Sequence, residues 1–282
     1  MSAPLAGLRF SLAGPGKVGS SLARWAAAAG AELVAVAGRG ALDSLDTGGQ
    51  DLLLLALPDA ALPAAAAALA RRPQAAVALH TSGSLDAAAI AALRQGGSAV
   101  GSLHPLKAFP EPLPEPAEAG GVFFAVDGDP AARELAARLA VAWGGVPGEV
   151  PPAARPLYHF AATLAAGGVV TLLAAAGEIG GRLGLPEAVA RGYLELARGA
   201  VAAAARALDA GRPLAAAITG PVARRDAATL RRQLSALQAS AADKLPLARV
   251  LARETAHQRE GLGEDLTAVR EELREEPGGT EP

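Results

Sequence analysis

Short apolar runs alternate with alanine-rich or amphipathic stretches over the first 150 residues. LRFSLA at 8–13, ELVAVAGR at 32–39, DLLLLALP at 51–58, AAVALH at 75–80, SAVGSLH at 98–104 and GVFFAV at 121–126 read as strands, with a last one near 145–150. Helix formers fill the gaps: from the glycines at 14–19 to Gly30, from beyond Pro58 to about Ala70, from about Leu85 to Arg94, and from 130 to 142. Strands alternating with helices predict an α/β fold built on a doubly wound, mainly parallel sheet covered on both faces.

After PPAARP the texture changes. From 155 to 260 only helical periods remain, at 155–183, 186–209, 226–239 and 246–260, broken by GLP, GRP and TGP. The expected organisation is therefore an α/β domain over 1–150, an all-α domain over 151–262, and an acidic tail over 263–282 that reads as disordered.

The stretch LYHFAATLAAGGVVTLLAAAG at 157–177 carries no formal charge and approaches spanning length. Alanine and glycine supply much of it, and the glycines and His159 weaken it as an insertion signal, so it is expected to be a buried helix at a domain or subunit interface.

Composition narrows the function classes. Of 282 residues, 51% are hydrophobic and 19% charged, which suits a chain with a real core. The net charge of −2 gives no reason to expect nucleic acid or an anionic membrane as a partner, and favours a small-molecule substrate. With no cysteine there is no disulfide, thiolate metal site or cysteine nucleophile, and no metal site is expected. The N-terminus lacks the basic and apolar regions of a signal peptide, which predicts a cytoplasmic protein.

The candidate chemistry begins at GPGKVG. With 33 glycines in the chain the pattern alone is weak, but Gly14, Gly16 and Gly19 follow the first strand and open a helix. There a dinucleotide-binding fold needs glycine for the turn, for close approach of a pyrophosphate and for helix packing. Pro15, Lys17 and Val18 complete the loop, and Lys17 either reaches a phosphate or points to solvent. Twenty residues beyond Gly19 stands Arg39, where an NAD site usually has an acid; a guanidinium there favours the 2'-phosphate of NADP.

Ligands of open α/β sheets lie beyond the carboxyl ends of the strands. Three segments end there: Leu57-Pro58, the run His80-Thr81-Ser82, and His104 with Lys107. Leu57 and Pro58 are thus expected beside the cofactor, and His80 beside the substrate. Each histidine has a plainer role open to it: His104 precedes Pro105 and shapes a turn, His159 sits in a core, His80 closes a strand. The proline-rich PEPLPEP at 110–116 reads as a stiff loop walling the pocket.

The glycine loop, LALPD, HTSG, LHPLKAF, LYHFAATLAAGG and ITGPVARRD, in that order, resemble bacterial Rossmann-like proteins with a helical domain of unknown function numbered 2520, over about residues 7 to 255. That family is related to 6-phosphogluconate and 3-hydroxyisobutyrate dehydrogenases and to pyrroline-5-carboxylate reductase. The resemblance implies a Rossmann domain, bound NADP(H), a homodimer formed through the helical domain, and a loop of the type that binds substrate in the relatives, whose Thr81 and Ser82 hydrogen-bond a substrate carboxylate or, for Ser82, the nicotinamide amide of the cofactor. Two departures stand out. The catalytic lysine of the hydroxyacid dehydrogenases has no counterpart between 108 and 243, and Gly167 occupies the place of the asparagine that follows it. The family's TGPxxRGD here reads TGPVARRD, with Arg225 in the glycine position; Asp226 is read as the cap of the next helix.

The expectation is an NADP(H)-dependent oxidoreductase that reduces a small keto acid or imine. His159 is the leading proton donor, His104 a second acid, Lys107 a carboxylate anchor, and Arg224 a contact for an anionic substrate. A dinucleotide-binding dimer without turnover, sensor or structural, is the alternative. A reduced deazaflavin as the partner of NADP stays open.

Overall fold

A computed structural model describes residues 3–38, 40–110 and 113–274. The chain divides into two compact units, 1–166 and 167–282.

The first unit is built on a seven-stranded sheet in the order β2-β1-β3-β4-β5-β6-β7. Its strands are β1 (Arg9–Ala13), β2 (Glu32–Ala37), β3 (Leu52–Leu55), β4 (Val77–His80), β5 (Ala99–Pro105), β6 (Phe123–Gly128) and β7 (Val146–Glu149). Three helices belong to the sheet: α1 (Lys17–Ala28), α2 (Leu62–Leu69) and α3 (Pro130–Ala142). Side chains alternate faces along a strand, so Leu52 and Leu54 join the layer of Trp25, Leu22 and Leu139, under α1 and α3. Leu53 and Leu55 join Leu62, Ala66, Ile90 and Leu93 on the opposite face, under α2. A strand buried on both faces reads as the uninterrupted LLLL seen here. The chain runs from β1 out to β2 and back across β1 to β3, so the direction of winding reverses between β1 and β3.

Three local features differ from the sequence reading. β6 runs antiparallel to β5, because the described residues between 106 and 122 supply only one turn of 3-10 helix at 116–119 and no crossover helix to return the strand parallel. Residues 87–96 form 3-10 turns broken at Ile90 (φ −119°) instead of a regular helix, opened by an Asp86 carboxylate that accepts from the Ala88 N–H at 3.0 Å. α4 (Arg155–Thr163), expected to open the helical domain, falls within the first unit.

A π turn at Leu164–Gly168 leads from α4 into α5 (Val169–Arg182). The second unit continues with α6 (Ala188–Asp209), α7 (Ala227–Ser240), α8 (Leu245–Glu260) and α9 (Thr267–Glu272). Leu230 and Leu234 of α7, Ala252 and Ala256 of α8, and Leu266, Val269 and Leu273 around α9 form its small core. The start of the acidic tail is therefore a packed helix; residues 275–282 lie outside the described residues.

Within α5 and α6 only Gly180 and Ala207 are buried. The apolar stretch at 157–177 is largely exposed in the single chain: Val170 is 66% exposed and Leu172 39%. The helical segment Pro152–Arg182 is long and apolar enough to cross a membrane, with a mean hydropathy of 1.8.

Candidate active site

The glycine turn closes as its chemistry requires. Gly14 follows β1 at φ +93°, and a Cβ there would lie 2.3 Å from the Ala56 carbonyl oxygen and 2.9 Å from the Leu57 side chain. A Cβ on Gly19 would lie 2.2 Å from the Gly14 oxygen, so α1 packs directly on the turn it leaves. Gly16, the N-cap of α1, faces open space. No side chain caps the helix and no acid stands in its first turn. The turn at the winding reversal thus presents backbone N–H groups and a positive helix end to an open surface, the arrangement that holds a pyrophosphate. Pro15 and Lys17 are exposed at its rim, Val18 packs inward, and Leu57 and Pro58 flank it beyond β3.

Next along the carboxyl edge come β4 and its HTSG loop. His80 is fully buried, and both ring nitrogens are used. The Ser82 N–H donates to Nδ1 at 3.2 Å, and Nε2–H donates to the Asp86 carbonyl at 2.8 Å. Burial lowers its pKa and keeps it neutral. Both His80 ring nitrogens are thus taken up in shaping the loop, whereas the sequence reading set this residue beside the substrate. The Ser82 hydroxyl accepts from the Ser84 and Leu85 N–H groups at 3.2 and 3.0 Å, folding the loop back on itself. Thr81 is half-buried beside it, its N–H donating to the Leu55 carbonyl at 3.1 Å.

The loop is clamped from α4. Arg155 is fully buried; its Nη1 donates to the Ser82 and Leu85 carbonyls at 3.3 and 3.2 Å, and its Nη2 to the Ser102 hydroxyl. Its Nε lies 2.9 Å from Asp127 Oδ2, while Ser102 donates to Asp127 Oδ1 at 3.0 Å. One guanidinium so ties α4, the loop after β4, β5 and β6 together.

Residues three and four positions along a helix share a face, so the helix that buries Arg155 also brings Tyr158 and His159 to the same edge. The Tyr158 hydroxyl lies 2.9 Å from His104 Nδ1 at the end of β5. The His104 and His159 rings meet edge to face with centroids 5.7 Å apart. Both pack on the backbone of Gly83: a Cβ there would lie 2.5 Å from His159 Nδ1 and 2.7 Å from His104 Nε2. Burial, with the His159 ring next, lowers the His104 pKa to about 4, so its imidazole is neutral at neutral pH. Burial raises the Tyr158 pKa. His159 Nδ1 is buried with no hydrogen-bond partner among the described residues. Three strand spacings separate β1 from β5, about 14 Å at about 4.8 Å each, so the histidine pair lies along the same edge as the glycine turn.

The remaining sequence candidates fall elsewhere. Lys107 pairs with Glu118 at 3.6 Å, which occupies the proposed carboxylate anchor. Arg24 pairs with Glu115 at 2.8 Å and the Trp25 indole donates to the Pro114 carbonyl at 3.3 Å. Pro114 and Glu115 of the proline-rich run are therefore pinned to the middle of α1, about 12 Å along the helix from the glycine turn; residues 111 and 112 of the run lie outside the described residues. Arg224 is exposed in the second unit; Asp226 caps α7 as expected, accepting from the Thr229 N–H at 2.9 Å. Arg39 lies outside the described residues. No cluster of three metal-ligating side chains occurs among the described residues.

Residues 122–255 match the family described as a domain of unknown function (DUF2520). No curated protein matches the sequence. Solved structures share the fold. A Bacteroides fragilis protein assigned as an NADP oxidoreductase has a TM-score of 0.71 at 17% identity, over 90% of this chain and 99% of that one. A Streptomyces aurantiacus imine reductase has a TM-score of 0.57 at 17% identity, over 95% and 100%. Plasmodium falciparum pyrroline carboxylate reductase with NADP bound has 0.57 at 12%, over 89% and 98%. At these identities the likeness is one of fold.

Proposed function

We propose that this chain, a Rossmann-like protein whose residues 122–255 carry the DUF2520 segment, is an NADP(H)-dependent reductase of a small keto acid or imine. The observation that carries the reading is the glycine turn: Gly14 and Gly19 have no room for a side chain, while Gly16 opens the uncapped start of α1 to a ligand. The residues present fit a dinucleotide, with the N–H groups at Gly16, Lys17 and Val18 facing a pyrophosphate and Arg39 placed in sequence for a 2'-phosphate. Several neighbours in fold bear NADP or imine-reduction names, which agrees with this choice. When bound, the nicotinamide supplies a hydride to the substrate carbon. The protein's part is to hold the acceptor and to protonate the oxygen or nitrogen that gains charge, with His159 as donor.

Calorimetric titration with NADPH and then NADH tests the cofactor. NADPH is expected to bind more tightly, and Arg39→Asp to weaken NADPH more than NADH. Failure of both nucleotides to bind would remove the reading. A panel of 2-keto acids, 3-keto acids and cyclic imines then identifies turnover, and His159→Ala should abolish far more of it than of NADPH affinity.

The exposed faces of α5 and α6 are read as the contact with a second copy of the chain. A membrane is the poorer partner, because α6 packs on α5 and carries Arg191, Glu195, Arg198 and Arg206 along its length. Sedimentation equilibrium should give twice the chain mass, and Val170→Glu with Leu196→Glu should give monomers.

A second reading has its own observation: Lys107 is engaged by Glu118, and no lysine stands on α4 to act as acid. A dinucleotide-binding dimer without turnover would bind NADPH and reduce nothing in the panel.

A further inference from the structure

Two ring nitrogens at this site lack hydrogen-bond partners among the described residues, and one of them is buried, although buried polar atoms are ordinarily satisfied within a fold. His159 Nδ1 is buried and unpaired, and His104 Nε2 has no hydrogen-bond partner among the described residues. Both approach within 2.7 Å of one position, the place a Cβ on Gly83 would occupy. Gly83 is itself buried, so the rings close on bare backbone and a larger residue would part them. Two unpaired ring nitrogens this close together at the carboxyl edge of a sheet offer a pair of partners to a ligand's polar atom.

The far side of His104 determines what it offers. Its Nδ1 faces the Tyr158 hydroxyl at 2.9 Å. A phenol O–H is a good donor and its conjugated oxygen a poor acceptor, whereas an imidazole nitrogen bearing a lone pair is a good acceptor. The favoured arrangement has Tyr158 donating to Nδ1, which leaves the imidazole hydrogen on Nε2.

We propose that Tyr158 sets this tautomer, so that His104 Nε2–H, beside His159, donates a hydrogen bond to the carbonyl oxygen or imine nitrogen of the substrate. The proposal rests on the reductase reading and divides labour between the two rings. His104 stays neutral because burial holds it so, and it stabilises developing negative charge without giving up its proton. The proton that balances the hydride comes from His159, which regains one from solvent. Tyr158 acts through His104 and is a positioning residue; Gly83 positions both rings.

The test is nitrogen-15 NMR of histidine-labelled full-length protein. Only four histidines are present, so single His→Gln variants assign each ring. His104 is expected as the Nε2–H form in the wild type, and Tyr158→Phe is expected to convert it to a mixture of forms. The same variant should lower kcat at least about tenfold while leaving the KM for NADPH within about twofold. Gly83→Ala should also lower kcat while NADPH affinity persists. A wild-type His104 protonated on Nδ1, or a tautomer unchanged in Tyr158→Phe, overturns the proposal. The expected tautomer in a protein that reduces no substrate sinks the reductase reading, and with it the donor's target. The wrong tautomer in an active enzyme sinks only the present assignment.

Discussion

Replacing Arg155 by methionine removes one charge from the interior and strands several partners. The Asp127 carboxylate is left almost fully buried with only the Ser102 hydroxyl, and the Ser82 and Leu85 carbonyls lose their donors. Breaking a buried ion pair by deleting one member destabilises by about 3–5 kcal/mol, because the surviving charge keeps its desolvation penalty. Methionine restores part of the lost packing, so the expected loss is about 4 kcal/mol. For a unit of this size that corresponds to a fall in Tm of about 8–16 °C. Urea unfolding followed by tryptophan fluorescence is the natural assay, since both tryptophans, Trp25 and Trp143, lie buried in the first unit and report on it alone. A second signature separates lost charge pairing from a packing defect. Adding Asp127→Leu to Arg155→Met should restore much of the stability, because the stranded charge is gone. A loss of less than about 1 kcal/mol, or one that the second substitution leaves unchanged, would refute the account.

Other outcomes follow from the same geometry. The His104 pKa falls from 6.5 to about 4 on folding, so the unfolded chain binds more protons between those values; stability should be complete above about pH 6.5 and decline by about 3 kcal/mol as pH falls toward 4. The His159 ring packs on His104, and Arg155, Asp59 and His80 act on it through their charges; burial lowers the His80 pKa as well, so His104→Gln should flatten the slope without abolishing it, and urea midpoints across this pH range decide the matter. Arg225 is the one non-glycine residue with positive φ among the described residues, at +60°. Since the left-handed conformation costs a residue with a Cβ roughly 1 kcal/mol, Arg225→Gly should raise the thermal midpoint of the helical unit in calorimetry, and an unchanged or lower midpoint would contradict the strain. That conformation also gives a physical reason for a glycine at this position in the motif TGPxxRGD.

The sequence by itself determined the elements. Apolar alternation and helical periodicity are imposed residue by residue, by which side of a strand or helix meets solvent, so strands such as LLLL at 52–55 and helices such as 130–142 and 188–209 stand within a few residues of where the pattern put them. The glycine turn was equally readable, because positive φ and close packing leave few residues other than glycine able to occupy positions 14 and 19. Tertiary structure alone decided the rest. Arg155 looked like one more arginine in an arginine-rich chain until the fold set it against Asp127, 28 positions away in sequence, and Ser82, 73 positions away. His80 and His104 end successive strands in like settings, yet the turn after His80 folds back to saturate its ring while the end of β5 leaves one His104 nitrogen open. The reversed direction of β6, and what covers the apolar stretch at 157–177, lie beyond the pattern for the same reason: local periodicity records that a face is apolar, and only the assembled chain determines what it meets.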